Sequence, residues 1–303
     1  MILAPLAARA GDNDLQLWRL GHPDAITTCS ACDGSDRTSV AGDPTSQSRF
    51  ARLAASIGLA MAPPFGEPAA TTGQAGLELG FSTNVALPKL DPDEWPSVGT
   101  AASTRSPGAW VIPTIRARKG FGGSLEIGTA ISLLAGSQMV ALSGELRWAL
   151  LDGIDYAPDV ALRAWGSRIL GSQELDLAMA GGDITLSKSI GVGGTVTLEP
   201  YGQYGITCIN VSSGVIDFDP AHEDPKDPTA DDGIFRSIGM FSNRYNRFVV
   251  GLRLKAGVVV VGVEGAVAFG TNPIMTDGVP ANTTAATQFT RELAFSGHLG
   301  FHF

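Results

Sequence analysis

Leu293-Ala-Phe-Ser-Gly-His-Leu-Gly-Phe-His-Phe303 is the stretch that decides the fold of this 303-residue chain. Counted back from the C-terminus in steps of two, one face carries Phe303, Phe301, Leu299, Gly297, Phe295 and Leu293. The positions between them hold histidine, glycine, serine and alanine. Because successive side chains of a strand point to opposite faces, this period predicts a β-strand with one apolar face and one small or polar face.

The composition of the chain favours strands and turns over helices. Charged residues make up 17% of the chain and glycine contributes 38 residues, which is typical of many short strands joined by turns. The net charge of −9 argues against nucleic acid as a partner. No uninterrupted apolar run reaches the length of about 18 residues that a transmembrane helix requires.

Nine further segments repeat the alternation of the C-terminal stretch. They span residues 75–86, 109–119, 122–134, 138–150, 159–169, 174–188, 194–209, 246–256 and 258–270. Strands that cross a bilayer need about 9–11 residues, whereas strands of soluble proteins usually have about five or six. The sequence therefore predicts about ten membrane-crossing strands, with eight or twelve as alternative counts. In the sixth segment the parity changes near Gly181-Gly182, which predicts a β-bulge.

The connections between these segments alternate in length. Those after the second, fourth, sixth and eighth segments are short, whereas those after the first, seventh and ninth have roughly 22, 35 and 17 residues. Transmembrane barrels join their strands by short periplasmic turns and longer extracellular loops. The alternation therefore predicts long loops outside the cell and both the N- and the C-terminus in the periplasm.

On these grounds residues 74–303 resemble a bacterial outer-membrane β-barrel protein of the Gram-negative kind, myxobacteria included. The resemblance implies an all-β fold, a transmembrane antiparallel up-and-down β-barrel. It also implies outer-membrane lipid as the surroundings, and a C-terminal aromatic signal that the barrel assembly machinery reads. In this chain the signal corresponds to Phe295, Leu299, Phe301 and Phe303. The sequence matches no motif of a specific functional subfamily.

The residues before the barrel divide into two parts. Residues 1–10 end in Ala8-Arg-Ala10 and are typical of a remnant of a secretory signal peptide. Residues 11–73 are predicted to form a periplasmic lead segment, with a short amphipathic helix at 46–61 that ends before Pro63-Pro64. This helix either packs against a neighbour or the membrane boundary, or it plugs the periplasmic mouth of the barrel.

Two of the three cysteines, Cys29 and Cys32, are close enough in sequence to form a local disulfide in an oxidising periplasm. A redox CxxC motif normally begins a helix in a βαβ unit, and the sequence shows no such unit. A zinc site would need a second pair of ligands, which Cys208 does not supply. An incidental pair and a disulfide are the two alternatives that remain.

The polar faces of the predicted strands carry charges of alternating sign. Because a barrel of this size has a narrow lumen and buried charges must be paired, we expect a salt-bridged interior. This predicted lumen charge network consists of Glu78, Arg116, Glu126, Glu145, Arg147, Arg163, Glu199, Arg253, Glu264 and His298. The alternative is a narrow pore in which these charges tune the passage of small solutes.

Two functions follow from this interior. The first is a narrow channel or transporter for small solutes or lipidic molecules. The alternative is a closed-lumen structural or surface-binding barrel that acts through the loops at 87–108, 211–245 and 271–288. The acidic loop 211–245 is a candidate contact for an extracellular ligand. The sequence shows no nucleophile elbow, calcium loop or phosphate-binding loop, and we predict no catalytic residue, metal, cofactor or enzymatic activity.

Overall fold

The computed structural model describes residues 13–23, 26–29, 37–40, 46–63, 67–96, 108–154, 156–220, 231–241, 243–270, 275–276, 279–280 and 291–303. Most of these residues belong to one closed sheet of ten long strands. The strands are β1 (Leu77–Leu87), β2 (Trp110–Phe121), β3 (Leu125–Leu133), β4 (Val140–Leu151), β5 (Asp159–Leu170), β6 (Leu175–Ser187), β7 (Val196–Ser213), β8 (Arg244–Ala256), β9 (Val259–Gly270) and β10 (Glu292–His302).

Every long strand pairs antiparallel with its neighbours in the sequence, and the last strand pairs with the first. The register of β10 on β1 runs from Leu293 opposite Leu87 to His302 opposite Glu78. This pairing closes the sheet and leaves no edge on any of the ten strands. The predicted fold, an up-and-down barrel of ten strands with a short helix before it, is confirmed.

The two faces of the barrel wall differ as the sequence alternation predicts. On β2 the side chain of Ile115 is 66% exposed on the outer face, whereas the next residue, Arg116, is 5% exposed on the inner face. The outer face carries Leu, Ile, Val, Phe and Trp side chains on all ten strands. The inner face of the wall holds small, polar and charged residues toward the end where β1 begins, and apolar residues beside the helix toward the other end.

Strand β6 carries apolar residues on its inner face as well, although its register with the neighbouring strands does not change. Leu175, Leu177 and Met179 point inward and are buried, while Gly181 stays in register with both neighbouring strands. The predicted β-bulge at Gly181-Gly182 is therefore wrong. The apolar residues change faces because a helix inside the barrel gives them an apolar partner on the inner side. A register irregularity lies instead between Ala149 and Leu151 of β4.

The two ends of the barrel differ in their connections. At one end, called here the turn end, β1 begins, β10 ends and the connections within the strand pairs β2–β3, β4–β5, β6–β7 and β8–β9 are short. At the opposite end, called the loop end, the connections that follow β1, β7 and β9 are long. The difference in the length of the connections, and the strands that precede the long ones, agree with the prediction from the sequence.

Helix α1 (Ser46–Met61) has the bounds that the sequence predicts, but it lies inside the barrel. It contacts β2 and β10 on one side of the lumen and β6 and β7 on the other. All of its residues except Gln47, Arg49 and Arg52 are buried. At Gly58 an added Cβ would lie 2.7 Å from Cδ1 of Ile209, so the glycine allows the helix to approach this side chain of β7 closely.

The described residues between the helix and β1, 62–63 and 67–76, lie along the lumen. We call residues 62–76 the strap; its residues 64–66 lie outside the described part of the chain. The strap begins beside Asn84, whose side-chain amide donates to the carbonyl of Ala60, and ends at Gly76, whose carbonyl accepts from the amide of Gly120. Helix and strap thus extend from the loop end to the turn end.

Residues 13–23 cover the loop end. The amide of Asn13 donates to the carbonyl of Gly136 in the β3–β4 turn, and the amide of Leu17 donates to the carboxylate of Glu174 in the β5–β6 turn. These residues and the C-terminal Phe303 therefore lie at opposite ends of the barrel, whereas the sequence analysis expected the lead segment and the C-terminus on one side. The lumen allows this arrangement because the helix and the strap pass through it.

Two predictions, the signal-peptide remnant and the disulfide, concern N-terminal residues of which the structure describes only a part. The predicted signal-peptide remnant, residues 1–10, lies outside the described residues. Cys29 ends a short strand, Ile26–Cys29, that pairs with Arg37–Val40. Cys32 lies outside the described residues, and the predicted disulfide with it. Among the described helices, none has the length and apolar character that crossing a bilayer requires.

Candidate functional site in the barrel lumen

The strap brings one carboxylate, that of Glu67, between three arginines of the barrel wall. Its oxygens lie 2.8 Å from Nη2 of Arg118, 2.9 Å from Nη1 of Arg253 and in direct contact with Arg116. Glu67 is 1% exposed and the three arginines are 2–6% exposed. We call Arg116, Arg118 and Arg253 the arginine clasp. Charge-assisted pairs of this kind are the strong ones among protein hydrogen bonds.

The three arginines come from two regions of the wall. Arg116 and Arg118 are two residues apart on β2 and therefore share its inner face, while Arg253 lies on β8. Wall carboxylates also contact each of the three arginines. Glu78 lies 2.8 Å from Arg118, and Glu199 lies 2.6 Å from Nε of Arg253.

Further wall groups bind the backbone of the strap. Arg147 donates to the carbonyl of Pro68 over 2.8 Å, and Arg247 donates to the carbonyl of Pro63 over 3.0 Å. In the other direction, the amide of Ala69 donates to the hydroxyl of Ser187, and the amide of Thr72 donates to the carboxylate of Glu126. The wall thus meets an extended chain segment with donors and acceptors along its length.

The predicted lumen charge network can now be placed residue by residue. All ten side chains lie on the inner face of the wall. One cluster around Glu67 holds Glu78, Arg116, Glu126, Glu199 and Arg253, and Arg147 adjoins it through the strap. A second cluster holds Glu145 and Arg163. The remaining two, Glu264 and His298, lie near Tyr201 and Gly262 respectively.

Four members of these clusters were not predicted from the sequence. Asp183 lies 2.8 Å from Arg163, and Tyr201 donates to Glu264 over 3.0 Å. Arg118 shares the inner face of β2 with Arg116, so the alternation alone was a sufficient signal for it. Glu67 had no such signal, because it lies in a proline-containing segment without periodicity and outside every predicted strand.

Above the clasp, toward the loop end, the lumen is apolar. Phe50 of α1 stacks on Phe235 of the long β7–β8 loop with ring centroids 4.6 Å apart. The helix also packs against Leu177, Ile209 and other inward-facing residues of the upper wall. The lumen therefore has two levels: an apolar one that holds the helix and a charged one that holds the strap.

Two small cavities lie beside the described residues of the strap. One cavity, between Arg163, Asp183 and Arg247, has a volume of about 10 Å³. A second, between Pro63, Arg116 and Glu145, has a volume of about 20 Å³. A cavity needs about 10–15 Å³ to admit one water molecule, so each holds about one water and neither is a pore.

The acidic loop at 211–245 folds partly over the helix. Its residues Ile216–Asp217 pair with Asp232–Gly233, and carboxylate oxygens of Asp217, Asp231 and Asp232 lie within 4.8 Å of one another. Burial and the neighbouring carboxylates raise the pKa of Asp231. The same loop leaves Val215, Ile234 and Phe241 exposed.

Comparisons with known proteins support the fold alone. No protein-family model and no curated protein matches the sequence. Among solved structures, the N-terminal β-barrel domain of Pseudomonas aeruginosa OprF matches 76% of this chain and 99% of that domain, at 12% identity and a TM-score of 0.29. The fold itself, a closed antiparallel barrel of ten long strands, is shown by the pairing of the strands.

Other matched outer-membrane barrels have different descriptions. Ail, the attachment invasion locus protein of Yersinia pestis, covers 76% of this chain and is itself covered completely, at 8% identity and a TM-score of 0.25. The outer membrane protease OmpT of Escherichia coli covers 77% of this chain and is covered over 97% of its own length, at 11% identity and a TM-score of 0.31.

The match to OmpT corrects the prediction that the chain is no enzyme. That prediction took a barrel without a recognised catalytic motif as a reason to exclude catalysis. A barrel described as a protease is among the structures with this fold, so the architecture gives no ground for that exclusion.

Proposed function

We propose that this chain is an outer-membrane barrel whose lumen is closed by its own N-terminal segment and which acts through the surface of its loop end. The observation that carries the proposal is the position of helix α1 and the strap. Their described residues occupy the lumen between the loop end and the clasp, and two cavities beside the strap admit about one water each.

The upper wall favours a lumen that stays closed. Phe50, Leu53 and Ile57 of the helix are 0% exposed, and the wall opposite them is apolar. Burying one such side chain stabilises a fold by about 1.5–3 kcal/mol, so withdrawing the whole helix into water is costly. A wall built for aqueous passage would instead be polar at this level.

The surface left for interaction is the loop end. The β7–β8 loop, predicted to contact an extracellular ligand, exposes Val215, Ile234 and Phe241 beside the carboxylates of Asp217 and Asp232. Outer-membrane lipid surrounds the apolar outer face in this proposal. A partner protein or surface molecule is bound by the loop end.

A narrow channel that opens by displacement of the strap is the second candidate. The observation that favours it is the polar character of the lower level. The strap is held there by ion pairs and hydrogen bonds to the wall, which water or a solute can replace. The apolar level of the helix would still have to open for solutes to pass.

Planar-bilayer recordings of the refolded chain separate the two candidates. The closed barrel is expected to give no reproducible single-channel steps, and such steps would contradict it. The matched control is a disulfide lock, Ala69→Cys with Ser187→Cys, in a background with Cys29, Cys32 and Cys208 changed to serine. Steps that the oxidised lock abolishes and reduction restores would show a channel gated by the strap.

The C-terminal aromatic signal remains part of the proposal. Phe295, Leu299, Phe301 and Phe303 lie on the outer face and are 46–65% exposed, so they are accessible to an assembly factor before insertion. We expect Phe303→Ser to lower the amount of heat-modifiable barrel in outer-membrane fractions, whereas Phe241→Ser, at the loop end, leaves it unchanged. Equal amounts of both variants would contradict the signal.

A further inference from the structure

We propose that the arginine clasp is an oxyanion-binding site, that Glu67 is its built-in ligand, and that a small external carboxylate competes with Glu67 for it. The proposal goes beyond the closed barrel and does not require the barrel to conduct. Glu67 reaches the clasp from a segment that is not part of the wall.

The clasp belongs to the wall, whereas its ligand does not. Arg116, Arg118 and Arg253 are positioned by β2 and β8, and their places are set by the register of the barrel. Glu67 is presented by the strap, whose described backbone forms no strand with the wall. The protein thus contains a preformed set of guanidinium donors, which Glu78, Glu126 and Glu199 of the wall also contact, and a separate carboxylate that binds to it.

The chemistry of the clasp selects planar oxyanions. Guanidinium groups present their N–H donors in a fixed fork that matches the two oxygens of a carboxylate. The Glu67 oxygens take donors from all three arginines, with one oxygen shared by Arg118 and Arg253 at 2.8 and 2.9 Å. A carboxylate of acetate or propionate carries the same two oxygens and about the same bulk as the end of the Glu67 side chain.

Hydrogen exchange of backbone amides in the strap can report whether Glu67 occupies the clasp. The amides of Ala69 and Thr72 donate to Ser187 and Glu126 of the wall. When an external carboxylate replaces Glu67, the strap loses its strongest attachment, and these two amides exchange their hydrogens faster. Exchange reports such local opening without unfolding of the barrel.

Hydrogen exchange of the full-length wild-type barrel in detergent tests the competition. Sodium acetate and propionate are expected to accelerate exchange in peptides covering residues 67–76 severalfold, compared with sodium chloride at equal ionic strength. Acetamide, the neutral analogue of acetate, is expected to have no effect. Exchange that is the same in acetate, acetamide and chloride would overturn the proposal.

A second measurement uses Glu67→Ala, which empties the clasp. This variant is expected to unfold at a temperature lower by about 5–10 °C, and acetate but not acetamide is expected to restore most of the difference. Arg118→Met in the same variant should remove the recovery. Recovery by acetate and acetamide alike would show mere filling of space and overturn the proposal. If Glu67→Ala does not fold, the exchange experiment on the wild-type chain decides alone.

Discussion

At the scale of single residues, the interior is held by charges that depend on one another. Arg118 contacts three carboxylates, those of Glu67, Glu78 and Glu126, at 2.8–2.9 Å. It is 2% exposed, so solvent does not screen these pairs as it screens pairs at a surface. Removing one partner of a buried pair leaves charge without compensation in a medium of low polarity.

Replacing Arg118 with alanine is expected to lower the free energy of unfolding by about 3–5 kcal/mol, because buried carboxylates lose a partner. The measurement is urea unfolding in detergent or lipid vesicles. The matched control is Arg168→Ala, which removes a pair with Asp176 whose two side chains are 64% and 55% exposed. A pair exposed to this degree contributes at most about 1 kcal/mol. Equal losses in the two variants would contradict a buried cluster.

The ring of Tyr201 occupies space beside β8 that is free only because residue 251 is a glycine. A Cβ at Gly251 of β8 would collide with the ring of Tyr201, which reaches across to the carboxylate of Glu264. Gly251→Ala is therefore expected to destabilise the barrel by about 1–3 kcal/mol through overpacking. Gly144→Ala serves as the control, because its Cβ would have no neighbour within 4 Å. Unfolding in urea compares the two variants, and a neutral Gly251→Ala would refute the contact.

At the scale of elements, helix α1 explains the apolar part of the inner wall. The wall residues beside it, such as Leu177 and Ile209, belong to a face that is polar at the level of the strap. The helix itself is rich in alanine and contains Gly58, so it is slim enough to fit between opposite sides of the lumen. Helix and upper wall are therefore complementary, and neither face is stable in water alone.

The fit of the helix against β7 can be tested by a double-mutant cycle. Gly58→Leu places a side chain against Ile209 and is expected to cost about 1–3 kcal/mol of stability. Ile209→Ala alone is expected to cost about 2–5 kcal/mol through the cavity it leaves. The double variant should lose at least about 1 kcal/mol less than the sum, because the leucine fills that cavity. Strict additivity in unfolding experiments would contradict the contact.

At the scale of the whole molecule, helix α1 and the strap pass through the lumen, so the two ends of the described chain lie at opposite ends of the barrel. Residues 13–23 cover the loop end, whereas Phe303 exchanges two hydrogen bonds with Leu77 at the turn end. If long loops face outward, as in other transmembrane barrels, residues 13–23 lie on the outer side of the membrane. Which end faces the cell exterior stays a prediction.

Labelling of single cysteines in intact cells tests this orientation. In a cysteine-free background, Phe241→Cys at the loop end is expected to react with a maleimide that cannot cross membranes. Tyr156→Cys at the turn end is expected to react only after the cells are lysed. Both residues are more than 80% exposed, so accessibility within the protein does not limit the reaction. Labelling of only Tyr156→Cys in intact cells would show that the barrel has the opposite orientation.

The sequence alone was sufficient to predict the strands that form the wall of the barrel. The alternation in Leu293–Phe303 and its repeats on nine other strands follows from backbone geometry, because a strand between lipid and a polar lumen needs a period of two. The helix at Ser46–Met61 was equally readable from its spacing and from the prolines that follow it. These features are local, so each can be recognised without knowledge of the rest of the molecule.

The contents of the lumen were decided only by the tertiary structure. Nothing near Glu67 in the sequence pairs it with Arg116, Arg118 and Arg253, which lie 49, 51 and 186 positions further along the chain. The inward apolar residues of β6 suggested a bulge until the helix supplied their partner. The physical reason is the same in both cases: a side chain that faces the lumen is selected by what fills the lumen, and that comes from a distant part of the chain.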